Sequence, residues 1–183
     1  MILVFAGGTC GDIVCGSIDD KDFVFDYNTT EIKFDKKREK LKKPHLFKSF
    51  KDKQTYLAKA VKKYNCIPSH DIDFHIRNRD NFWGITVEDP KHRLLAAKRF
   101  KLKNQPQSWK DIEKMSHSHT AEQYANTIYE MSKKIKRHAK FTIDFSEILS
   151  GRLINIIESQ DIVISAEKEN IYHFWLSNNR LKI

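Results

Sequence analysis

Apolar residues open the chain as an unbroken run, Ile2-Leu3-Val4-Phe5, which predicts a short strand buried on both faces. The run empties into Gly7-Gly8-Thr9-Cys10-Gly11-Asp12, a glycine-rich turn, after which Asp12 can cap a short helix over Ile13 to Ile18. Phe23-Val24-Phe25 predicts a second short strand. Residues 27–50 then turn polar and irregular, with the basic stretch Lys36 to Lys43 stopped by Pro44, and are expected to form a long loop or lid. Tyr56, Leu57, Ala60, Val61 and Tyr64 recur at helical spacing and predict a helix from about Asp52 to Tyr64. Ile72, Phe74 and Ile76 alternate with Asp71, Asp73 and His75, the pattern of a half-buried strand or an extended loop.

The second half repeats the alternation of strand and helix signals. Trp83 to Val87 predicts a strand that ends in Asp89-Pro90, a cap followed by proline at the first helical position, so a helix is expected from there to about Lys103. Thr120 and Gln123 form a capping box for a long helix with the stripe Ala121, Tyr124, Ile128, Met131 and Ile135. Phe141 to Ile143 is a short strand candidate. Asp144 and Glu147 form a second capping box, starting a helix that turns Phe145, Ile148, Leu149, Leu153, Ile156 and Ile157 inward. Asp161 to Ile164 is another strand candidate, before a final helix from about Ala166 with Ile171, Phe174, Trp175 and Leu181. Strands alternating with helices predict a three-layer α/β fold with a mostly parallel central sheet flanked by helices. The 183 residues, 40% of them hydrophobic, are enough for one domain with a full core.

Charge changes this picture at one place. Residues 33 to 63 hold 13 of the basic side chains against three acids (Asp35, Glu39 and Asp52), so the net charge of +9 is a patch rather than a general property. A patch of this kind suits an anionic nucleotide, a nucleic acid or a sulfated or phosphorylated substrate, or is simply a solvated lysine-rich face; nucleic acid or a protein partner would be met through Lys36 to Lys53. No apolar stretch approaches the roughly 18 residues that span a bilayer, and residues 2–6 lack a basic leader, so a cytoplasmic protein without a membrane partner is expected. Cys10, Cys15 and Cys66 form no Cys-x-x-Cys pair, and reduced thiols are expected with no metal site.

The glycine-rich turn is the first candidate for chemistry, because backbone amides at such a turn and at the helix that follows hold phosphates. It carries neither the Lys-Ser/Thr ending of a Walker A motif nor a Gly-x-Gly-x-x-Gly fingerprint. Histidines supply the second candidates. His70 and His75 bracket Asp71 and Asp73, a set suited to general-base work or to holding a divalent metal in a nuclease. His117 and His119 are spaced like a surface turn, and Cys10 stands where a thiol can be activated by a helix N-terminus.

Ala6 to Ile13 resembles the Gly-Thr-x-Gly-Asp/His turn that opens many two-domain glycosyltransferases, for whose second domain the chain has no room. A broader resemblance runs through the strand-loop-helix at the start, Ile67-Pro68-Ser69-His70, Val87-Glu88-Asp89-Pro90 with the helix through Arg99-Phe100, Phe141 to Phe145 and the final aromatic helix. These occur in the order found in sulfotransferases, and the chain resembles a divergent member of that P-loop, nucleoside-kinase-like class. The resemblance implies transfer of a sulfuryl group from 3′-phosphoadenylyl sulfate to an unknown hydroxyl or amine acceptor. It places Gly7, Gly8, Thr9, Cys10, Gly11 and Asp12 at the 5′-phosphosulfate loop and His70 near the base; Arg93 and Arg99, on the helix after Asp89-Pro90, are further candidates for the donor because planar guanidinium groups suit phosphate oxygens. The chain departs from the family in having no lysine within residues 7–19, Glu88 where the family has the arginine that holds the 3′-phosphate, and Ala96 where it has a serine. The alternative reading is a protein that keeps the fold, has lost catalysis, and binds nucleic acid or a protein through its basic segment.

Overall fold

The structure, a computed structural model, describes residues 1–19, 23–103 and 121–178. Its strands are β1 (Ile2–Val4), β2 (Phe23–Asp26), β3 (Glu31–Phe34), β4 (Ile67–Ser69), β5 (Trp83–Thr86) and β6 (Phe141–Asp144). Its α-helices are α1 (Gly11–Ile18), α2 (Lys36–Lys42), α3 (Phe50–Ala60), α4 (Ile72–Asn78), α5 (Pro90–Lys103), α6 (Ala121–His138), α7 (Phe145–Leu149), α8 (Leu153–Glu158) and α9 (Ala166–Asn178). Four strands form a parallel sheet in the order β4-β1-β5-β6, while β2 and β3 pair as a separate antiparallel hairpin. Helices cover both faces of the sheet, the expected α/β architecture.

The pleat of β1 divides the two cores. Leu3 points into one, with Ile85, Ile143, Leu153 and Trp175, while Ile2 and Val4 point into the other, with Leu57, Ile67, Phe74 and Ile135. Because β1 has β4 on one side and β5 on the other, the chain reverses its direction of travel across the sheet there. The carboxyl end of β1 is therefore a topological switch point, where open α/β sheets bind ligands.

Several sequence expectations change. Residues 27–50 are built of regular elements rather than an irregular loop: Glu31-Ile32-Lys33-Phe34 alternates polar and apolar, buries Ile32 and Phe34, and closes the hairpin as β3. Asp35 then accepts from the Arg38 amide at 2.8 Å and caps α2, and Pro44–Leu46 forms a single 3₁₀ turn. Arg38 fastens α2 to the body, its Nη1 2.6 Å from Asp19 Oδ2 with both side chains fully buried and its guanidinium over the rings of Phe34 and Tyr64. Ile72 to Ile76 is helical because Asp71 caps α4 through the Phe74 amide at 3.1 Å, which outweighs the alternating pattern.

Helix α3 begins at Phe50 and ends at Ala60, so Val61 is 43% exposed rather than part of the buried stripe. The capping box of Asp144 and Glu147 forms as expected, but Gly151 takes φ +86° and splits the following helix into α7 and α8. Asp161 to Ile164 pairs with no strand among the described residues; Asp161, at φ +59°, closes a turn on Glu158. Thr120, His117, His119 and Leu181 lie outside the described residues.

Candidate functional site

The turn after β1 is shaped by close packing before any ligand is considered. Its Gly8 sits at φ +86°, and a Cβ there would lie 2.0 Å from the Ala96 carbonyl oxygen of α5. A Cβ on Gly7 would strike the Phe100 ring, and one on Gly11 the Phe5 ring. The glycines thus let α5 and the Phe5 ring lie directly against the backbone. Thr9 turns inward, its hydroxyl donating to the Ala6 carbonyl at 2.7 Å, and does not face a ligand space. Helix α1 starts from Cys10, in the left-handed region at φ +62°, with no side-chain cap. Asp12 is therefore a first-turn residue and not the expected cap. The amides of Gly8, Gly11 and Asp12 have no acceptor among the described residues.

The residues of this turn border a cavity of about 440 Å³. The turn forms one side, His70 follows from the end of β4, the hairpin residues Thr30 to Lys33 form another side, and Lys42 enters from α2. Phe100 and Trp175 add aromatic surface. Lys42 was not singled out by sequence spacing, since it stands 30 residues beyond Asp12, yet its Nζ lies 3.1 Å from Asp12 Oδ1 and 2.8 Å from Glu39 Oε1. Burial alone would lower its pKa, and the two carboxylates more than reverse this, leaving it raised and the ammonium charged. A lysine absent from the turn's own sequence is thus supplied from α2.

The cavity is balanced in charge, with Lys33, Lys42 and Lys43 against Asp12, Glu31 and Glu39. An incoming anion must therefore compete with Asp12 for Lys42.

His70 packs edge-on against Phe5, 4.8 Å between ring centroids. Its Nε2 is buried with no hydrogen-bond partner among the described residues. Burial, with the Lys42 charge nearby, lowers its pKa to about 4, so the imidazole is neutral at physiological pH. A buried polar nitrogen left without a partner is rare in a folded protein and asks for an explanation.

The remaining candidates do not converge on this cavity. His75 is buried between Asp80, 2.7 Å from Nδ1, and Ser69 Oγ, 2.7 Å from Nε2, so both nitrogens are engaged and His75 does not line the site. Asp71 pairs with Lys53 and Asp73 with Lys134, so the four residues of the metal reading point to different partners. No group of three or more His, Cys, Asp or Glu residues suited to a metal ion occurs among the described residues. Arg93 lies over the Tyr129 ring, 4.3 Å from its centroid, beside a separate depression. Arg99 is on α5, and its side chain lies outside what the structure describes. At the junction after β5, Glu88 pairs with Lys136, and Asp89 accepts from the Lys91 amide at 2.6 Å as the cap of α5. Among the described residues no helix is long and apolar enough to cross a membrane.

Compared with protein-family models, curated proteins and solved structures, the chain matches none of them.

Proposed function

We propose that the cavity after β1 is a group-transfer site of the sulfotransferase-like kind, moving a sulfuryl or phosphoryl group from an anionic donor to an acceptor hydroxyl. The observation that carries this reading is that a neutral His70, with a buried and unpartnered Nε2, shares one cavity with the unpaired amides of the turn. Negative charge developing on the transferred group faces the amides of Gly8, Gly11 and Asp12 and the Lys42 ammonium. His70 accepts the acceptor's hydroxyl proton as its oxygen bonds to the sulfur or phosphorus atom and the donor oxygen departs with its electron pair.

The residues that border the cavity suit the sulfate or phosphate end of 3′-phosphoadenylyl sulfate, and among the described side chains none is placed to hold its 3′-phosphate. Glu88, Asp89 and Arg93 are engaged elsewhere, and none of them borders the cavity. The 3′-phosphate is therefore expected to add nothing to binding.

Millimolar 3′-phosphoadenosine 5′-phosphate and adenosine 5′-phosphate should raise the melting temperature equally. Lys42→Gln should abolish both shifts, and Asp12→Asn should tighten binding, because it removes one of the two carboxylates that compete with the ligand for Lys42. Absence of any shift, with flat calorimetry, would overturn the donor assignment.

A further inference from the structure

The basic segment is two populations of side chains. Arg38 is buried on Asp19, Lys42 is shared by Asp12 and Glu39, Lys53 is held 2.7 Å from Asp71, and Lys40 lies over the rings of Phe47 and Tyr56. The segment's acids are occupied as well: Asp35 by the cap of α2, Lys63 and Tyr64, Glu39 by Lys42, and Asp52 by the start of α3. Lys33, Lys36, Lys37, Lys43, Lys48, Lys51, Lys59 and Lys62 are exposed and have no carboxylate partner among the described residues.

Three of these lysines are ordered by helix α3 and the turn that follows it. Lys51, Thr55, Lys59 and, on the turn that follows α3, Lys62 recur at helical spacing and are all exposed. They make one row about 16 Å long. Beside it runs a second row of Phe50, Gln54, Ala58 and Val61. Phe50 heads that row, 40% exposed, resting on Phe74 at 4.9 Å with the Arg77 guanidinium 5.7 Å from its ring centroid.

We infer that this face of α3 binds single-stranded nucleic acid, with phosphates along the lysine row and a base stacked at Phe50. Unpaired cations in a line with an exposed ring at one end are the elements with which proteins hold single strands without reading sequence. An anionic bilayer fits less well, because a helix lying on a membrane needs its apolar face free, and here Leu57 and Ala60 are committed to the core. The surface is separate from the cavity after β1, so either can fail without the other.

The test is fluorescence anisotropy of the full chain with a labelled 20-nucleotide oligothymidylate, over a salt series. Binding by the three lysines of the row predicts a slope of log affinity against log salt of about −2. Lys51→Glu/Lys59→Glu/Lys62→Glu should weaken binding more than tenfold while leaving the adenosine 5′-phosphate thermal shift in place. Phe50→Leu, which keeps the apolar contact with Phe74 but removes the ring, should weaken oligothymidylate at least fivefold and leave inorganic polyphosphate binding unchanged. Equal loss for both polymers, equal affinity for duplex of the same length, or preference for phosphatidylserine vesicles over the oligonucleotide would each overturn the inference.

Discussion

His70 and His75 stand five residues apart and have opposite fates. His75 is locked between Asp80 and Ser69, and Ser69 is only 2% exposed, so this hydrogen-bonded chain of serine, histidine and carboxylate braces β4 against α4 rather than presenting a nucleophile. It also fixes the residue directly before His70, which is left as the histidine with an unanswered nitrogen. The lowered pKa of His70 has a consequence for stability. Between its folded pKa of about 4 and the ordinary histidine value of 6.5, the unfolded chain holds a proton there that the folded chain does not, so stability falls as pH falls through that window. On lowering the pH from 7 to 4.5, His70→Asn should lose less stability than the parent, by roughly 2 to 3 kcal/mol in urea denaturation. Equal losses would show that His70 titrates normally. If group transfer is observed, the acidic limb of kcat/KM should fall well below pH 6 for the same reason.

At the scale of elements, α2 is what turns a basic stretch into part of a site. Asp35 starts the helix, Arg38 anchors it on Asp19, and Lys42 is thereby delivered to the turn after β1. The anchor is an ion pair in the core, where leaving one partner uncompensated is more harmful than removing both. Arg38→Met should cost about 3–5 kcal/mol of unfolding free energy. Asp19→Asn/Arg38→Met should recover much of the loss, since an asparagine oxygen can still accept from the Cys66 amide that Asp19 meets at 3.2 Å. A single variant as stable as the parent would mean that packing against Phe34 and Tyr64, rather than charge, holds the helix.

Over the whole molecule, apolar residues and positive charge are distributed differently along the chain. The sheet and its two cores are built from apolar residues spread along the chain, whereas the excess of positive charge is concentrated in residues 33–63. Like charges on one surface repel across distances comparable with the Debye length, which shrinks from about 30 Å at 0.01 M salt to 8 Å at 0.15 M. Sodium chloride between those concentrations should therefore raise the melting temperature. The rise should be smaller in Lys51→Glu/Lys59→Glu/Lys62→Glu; an unchanged rise would place the repulsion elsewhere.

The α/β class, β1 and α1 on either side of the first turn, the cap of α5 and the box at Asp144 were legible in the sequence, because hydrophobic period and capping chemistry act over a few residues. β3 was missed, because the alternation of Glu31, Ile32, Lys33 and Phe34 lies in a charged, polar stretch that reads as a loop. What local pattern could not decide was α4, where two periods fitted the same residues and the Asp71 cap selected the helix. Nor could it separate His70 from His75, or reveal Lys42 as the cation beside Asp12. Those outcomes depend on which residues meet across the β1–β4 pair and under α2, and such meetings are set by the packing of distant segments. The sequence by itself determined a turn suited to an anion. Only the tertiary structure supplied its lysine, its unpartnered histidine and the distinction between lysines spent on the fold and lysines left facing outward.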